Sequence, residues 1–104
     1  MIMFMELAKK DAILAARNRA VREAYPVLVW ERRDTAPFTY YCRTLTEGTP
    51  PGDSHRIARA NRAYFEDGEF IPCSECGGIG GPCEECAGWG GSFTSIRKEE
   101  LYLE

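Results

Sequence analysis

The chain has 104 residues, 44% of them hydrophobic and 28% charged, with a formal net charge of −3. That length suits one domain with a modest core, and the apolar content excludes a wholly disordered or collagen-like chain. No apolar run approaches the roughly 18 residues that span a bilayer, and mild acidity argues against a generic nucleic-acid binder.

The opening Met1-Ile2-Met3-Phe4-Met5 is cut short by Glu6, Lys9, Lys10 and Asp11. A secretory leader is therefore not expected, and a cytoplasmic location is. Charge is unevenly spread. Residues 1–65 carry eleven Lys/Arg against seven Asp/Glu, and residues 66–104 carry two against nine. A basic part thus precedes an acidic one, a layout that suits two solvated faces or the steering of a charged partner.

Residues 3–25 read as an amphipathic helix. Met3, Leu7, Leu14, Val21 and Tyr25 share one narrow stripe at helical spacing, several alanines favour helix, and Pro26 ends it. Residues 27–33 and 38–46 are rich in β-branched and aromatic side chains and read as strands. Asp34-Thr35-Ala36-Pro37 between them has turn chemistry, which makes a hairpin. Alternation puts Val27 and Val29 on one face and Leu28 and Trp30 on the other. Residues 47–53, with two glycines and two prolines, read as a loop.

Residues 54–67 read as a second helix, with Asp53 or Ser54 at its start and Gly68 as its stop. Ile57, Ala60, Tyr64 and Phe65 would pack inward. Arg56, Arg59 and Arg62 would then share a basic face, a candidate phosphate-contacting surface for RNA or DNA. The expected architecture is α+β: a small domain of two helices and a β-hairpin over residues 1–69, and a zinc-stapled hairpin over residues 70–97. An acidic tail over residues 98–104 completes it. Residues 92–97 read as a strand that pairs with Phe70-Ile71 or joins the main sheet.

The chemistry concentrates in residues 72–92. These 21 residues hold seven of the ten glycines, and their only apolar residues besides cysteine are Ile79, Ala87 and Trp89. Three such side chains cannot offset a backbone ordering cost of roughly 1–2 kcal/mol per residue, which glycine makes worse. The segment is disordered unless something staples it. It contains Cys73, Cys76, Cys83 and Cys86 in two copies of C-x-x-C-x-G-x-G offset by ten residues. Two residues between cysteines let both sulfurs of a tight turn reach one ion, and the glycines permit the positive φ that such turns need. Four thiolates suit a single Zn²⁺ per chain, with a closed coordination sphere and no open catalytic position. Iron, a redox C-x-x-C or two disulfides are the other chemistries of four cysteines.

The repeated unit resembles the cysteine-rich zinc finger of DnaJ-type chaperones, as also found in the anti-TRAP protein. The resemblance covers residues 70–93. It implies that Cys73, Cys76, Cys83 and Cys86 are zinc ligands and that Gly78, Gly80, Gly88 and Gly90 are turn glycines. DnaJ-type proteins usually have four repeats and two zinc sites, against two repeats here, and no J-domain His-Pro-Asp tripeptide occurs. Six residues separate Cys76 from Cys83, short enough to leave open a site shared by two chains.

Cys42 reads as a small buried apolar residue, and His55 as a surface residue at a helix start. One histidine and scattered acids make no catalytic constellation, so a non-enzymatic role is expected. The leading expectation is a zinc-binding protein-interaction module, with Trp89, Glu84 and Glu85 as partner-binding residues. A regulator or inhibitor that occludes a nucleic-acid-handling partner is the subtype that the anti-TRAP resemblance implies. For Trp89 itself the favoured reading is a cover for the zinc site or a side chain docked on the helices, with an exposed partner anchor as the alternative.

Overall fold

A computed structural model describes residues 8–98. Helix α1 (Lys9–Glu23) is followed by strands β1 (Val27–Arg32) and β2 (Thr39–Arg43) and a single 3₁₀ turn (Leu45–Glu47). Strands β3 (Ser54–Ala60), β4 (Phe65–Pro72) and β5 (Gly91–Arg97) follow. The strands form one antiparallel sheet in the order β2-β1-β3-β4-β5.

Among the described residues the fold is therefore one α-helix on a five-stranded sheet, and the expected second helix over residues 54–67 is wrong. Residues 54–67 form β3, a turn and the start of β4. The turn closes with the Asn61 N–H donating to the Tyr64 carbonyl at 2.8 Å. Alanine and arginine favour helix in isolation, but propensity yields to tertiary context. Here β1 offers β3 a full row of backbone partners, from Val27 opposite Ala60 to Arg32 opposite Ser54.

The register of that row slips once. Val29 faces Ala58, but Trp30 faces Arg56, so Ile57 has no partner across the ladder. In an unbroken strand, residues three apart point to opposite faces. The extra residue cancels that flip and sets Arg56 and Arg59 on the same face as Trp30 and Leu28.

Helix α1 also departs from expectation. Leu14, Val21 and Tyr25 are exposed, whereas Ala12, Ala16 and Ala20 are fully buried. Met3 and Leu7, the rest of the expected stripe, lie outside the described residues. The helix stops two residues before Tyr25, with Ala24 in the left-handed conformation (φ 65°) and its N–H bonded to the Ala20 carbonyl. The alanine row packs on Val27, Val29, Ala58, Ala60 and Phe65. Small side chains on both elements let helix and sheet approach closely.

The opposite face carries Leu28, Trp30, Tyr41 and Phe93, with Phe70 and Trp89 against them. The expected alternation in β1 is thus present, and both sets of its side chains are buried. The expected pairing of residues 92–97 is present as well: Phe70 stands opposite Phe93 and Ile71 opposite Ser92. β4 leads without a break from the sheet into the first cysteine. The acidic tail lies, from residue 99 on, outside the described residues.

Candidate metal centre

The cysteine segment is the long connection between β4 and β5. Its mouth is closed by the Pro72–Gly91 pair and by the Cys73 N–H donating to the Gly90 carbonyl at 2.7 Å. The two sequence repeats fold into two similar turns. In the first, the Ile79 N–H donates to the Cys76 carbonyl at 3.2 Å and the Gly80 N–H to Cys76 Sγ at 3.3 Å. In the second, the Trp89 N–H donates to the Cys86 carbonyl at 2.9 Å and the Gly90 N–H to Cys86 Sγ at 3.1 Å. These amides spread thiolate charge.

The turns stand back to back, and this fixes two glycines sterically. A Cβ at Gly80 (φ +81°) would lie 2.6 Å from the Gly88 carbonyl oxygen. One at Gly90 (φ +87°) would lie 3.0 Å from the Gly78 oxygen and 2.6 Å from Arg56 Nη1.

This packing brings four sulfurs together. The Sγ atoms of Cys73, Cys76, Cys83 and Cys86 all lie within 4.8 Å of one another. Cys73 and Cys83 are 3.8 Å apart, and Cys76 and Cys86 3.7 Å. A tetrahedron with Zn–S bonds of about 2.3 Å has sulfur–sulfur edges of about 3.8 Å. The donor set therefore fits one Zn²⁺, and all four ligands come from a single chain. The six-residue spacer is long enough, because the second turn folds back over the first. All four cysteines are free thiols, and sulfur contacts cross between the two repeats.

Sulfurs this close do not ionise alike. The Gly80 amide holds the Cys76 thiol at about 6. The Cys86 amide favours the Cys83 thiolate, but burial and the neighbouring sulfurs of Cys86 and Cys73 outweigh it and push Cys83 to about 11. A divalent soft cation resolves that competition, which is why such clusters bind metal with release of protons.

The centre leans on the sheet. Trp89 is half-buried, packed against the Leu28–Trp30–Tyr41–Phe93 cluster and against the Arg59 guanidinium (5.5 Å from its ring centroid). It docks on the sheet face remote from α1, not on a helix. Ile79 occupies the same place in the first repeat, yet it is 82% exposed. Ile79, Glu75, Pro82, Glu84 and Glu85 line one shallow depression on the outer side of the cysteine turns. Ile79 was missed by sequence reasoning, although its repeat position, matching that of Trp89, was the available signal.

The three arginines separate. Arg56 lies between the rings of Phe70 (4.8 Å) and Trp30 (5.5 Å) and donates to the Trp89 carbonyl at 3.1 Å. Arg59 bonds Glu66 Oε2 through Nε at 2.8 Å and Nη2 at 2.6 Å. Glu66 is 2% exposed, so this is a buried pair that sequence reasoning missed. Arg62 is exposed in the β3–β4 turn. A shared helical basic face does not exist.

Cys42 packs beside the helix-side core, where burial pushes its thiol up, away from nucleophilic character. His55 sits in β3, not at a helix start, with Nε2 2.9 Å from Asp53 Oδ1.

Comparison of the chain with family models, with curated proteins and with solved structures finds no match. The metal centre thus stands on its own geometry. Among the described residues, no helix is long and apolar enough to cross a membrane.

Proposed function

We propose that this chain is a non-enzymatic, zinc-stabilised interaction module that engages another protein through the outer side of its cysteine turns. One observation carries the reading. A large apolar side chain, Ile79, stands 82% exposed on a turn anchored by metal ligands, beside the exposed acids Glu75, Glu84 and Glu85. An exposed apolar group on a rigid support is the kind of feature that partners bury, and the acids select a basic rim around it. Zinc in place of the four thiol protons moves the chain's formal charge from −3 to about −5. An acidic, compact surface of this kind suits a regulator or inhibitor that competes with nucleic acid for a basic site on its partner. The likeness of the repeats to DnaJ-type and anti-TRAP zinc fingers supports the same reading.

Direct binding of RNA or DNA has less support. Arg59 is spent on Glu66 and Arg56 on Trp89 and two aromatic rings, which leaves Arg62 alone of the three facing solvent. A thiol-redox role is also less supported, because all four sulfurs converge within 4.8 Å of one another as one metal-sized cluster.

The test is capture of partners from the source cell by zinc-loaded protein, comparing wild type with Ile79→Asp, Glu84→Lys/Glu85→Lys and Trp89→Ala. The reading expects partners lost with the first two while zinc is retained. Capture of the same proteins by all four would contradict it. Retention of RNA that vanishes with added salt and with Arg62→Glu would favour the nucleic-acid reading instead.

A further inference from the structure

The same Trp89–Gly90 peptide unit that bonds the metal-ligand sulfur also bonds an arginine from the sheet. Its N–H donates to Cys86 Sγ at 3.1 Å, and its carbonyl accepts from Arg56 Nη1 at 3.1 Å. We propose that Arg56 is a positioning residue of the metal centre, acting on the Cys86 thiolate through this peptide.

Three features support the assignment. First, hydrogen bonds in series polarise one another, so a cation on the carbonyl makes the N–H a stronger donor to the thiolate. Second, Arg56 packs against the rings of Phe70 and Trp30, and its Nη1 lies close against Gly90, 2.6 Å from where a Cβ would stand. Third, among the described residues no carboxylate comes within 4.0 Å of Arg56, and the charges that face it are the thiolates of Cys76 and Cys86. A cation half-withdrawn from water needs a counter-charge, and a zinc tetrathiolate of net charge about −2 supplies one.

The repeats differ on this point. Gly80 bonds Cys76 Sγ at 3.3 Å, but among the described residues no side chain donates to the Ile79 carbonyl behind it. The centre is therefore symmetric in its ligands and asymmetric in its support. Its second half is tied to β3, so metal occupancy and the docking of Trp89 are coupled through one side chain.

The experiment is zinc competition against a chromophoric chelator for wild type, Arg56→Gln and Arg56→Lys, with amide proton spectra of each zinc-loaded protein. Arg56→Gln is expected to weaken zinc binding about tenfold, the low end for a residue supporting a metal ligand. It should move the Gly90 amide proton upfield and leave Gly80 in place, and Arg56→Lys should recover most of both effects. Equal affinity in Arg56→Gln overturns the proposal. So does equal movement of both glycine amides without lysine rescue, which is the mark of a loosened fold. Should Arg56→Gln not fold, cadmium-loaded wild type decides: coupling from the metal nucleus to the Gly90 amide proton exceeds that to Gly80, and the reverse order overturns the proposal. Failure of the wild type to bind zinc at all would instead overturn the metal site itself.

Discussion

At the scale of single residues, size and spacing carry different information. Of the larger apolar residues of α1, Leu14 and Val21 are exposed and Ile13 is only partly buried, whereas Ala12, Ala16 and Ala20 recur at helical spacing and are fully buried. The facing surface of β3 is built from Ala58 and Ala60, so there is no room for leucine. Ala16→Leu should therefore cost about 1–3 kcal/mol through overpacking. Leu14→Ala should change stability by less than about 0.5 kcal/mol. Urea unfolding of both variants checks this, and the opposite ranking would restore the larger stripe as the core. The cysteines, by contrast, were fully legible, because ligand spacing is a local property that no tertiary contact can reassign. What sequence could not give is their unequal acidity within the folded turns, where the Gly80 amide holds Cys76 at about 6.

At the scale of elements, the helix and the β2–β3 connection are joined by one ion pair. Arg19 grips Glu47 with Nη1 to Oε1 at 2.8 Å and Nη2 to Oε2 at 2.6 Å. Glu47 Oε1 also accepts the Thr44 N–H at 3.0 Å, which caps the 3₁₀ turn. The Arg19 guanidinium, and then the Thr44 amide, hold the Glu47 carboxyl at about 2, against an ordinary 4.5. A carboxylate lowered in this way contributes its full stability above its ordinary range and loses it as pH falls through about 2. Its side chain is 39% exposed, so screening keeps the contribution near 1 kcal/mol. Glu47→Gln should lower stability by about that amount at pH 7, and the gap should close between about pH 5 and 2. A gap that stays constant with pH would assign the effect to packing. The elements themselves were unevenly legible. Residues 27–46 announced a hairpin through aromatic and β-branched content that no helix would prefer. Residues 54–67 misled because alanine and arginine at three-residue spacing suit a helix, and the register slip at Ile57 reproduces the same-face arrangement of Arg56 and Arg59 in a strand. Only pairing with β1 distinguishes the two, and pairing is non-local.

At the scale of the whole molecule, the metal centre completes a core as well as holding itself together. The sheet has two apolar faces. One is covered by α1, and the other, with Leu28, Trp30, Tyr41 and Phe93, is covered in part by the cysteine turns through Trp89. Sequence showed that residues 72–92 need a staple, but not that the stapled turns fold back over a sheet. That second fact depends on β3 being a strand. Loss of metal should thus be felt beyond the ligands. Removing zinc is expected to raise Trp89 exposure and to lower the midpoint of thermal unfolding, and Cys83→Ser should do the same in the presence of zinc. Fluorescence-monitored melts check this, and identical melts with and without chelator would separate the turns from the core. The claim beneath all of this is that one ion orders a glycine-rich segment too poor in apolar side chains to order itself. Amide hydrogen exchange of the zinc-loaded and chelated protein tests it most directly. Slow exchange at Gly80, Trp89 and Gly90 with zinc, turning fast on chelation while β1 and α1 stay protected, is the predicted result; equal protection of those three amides in both states would contradict it.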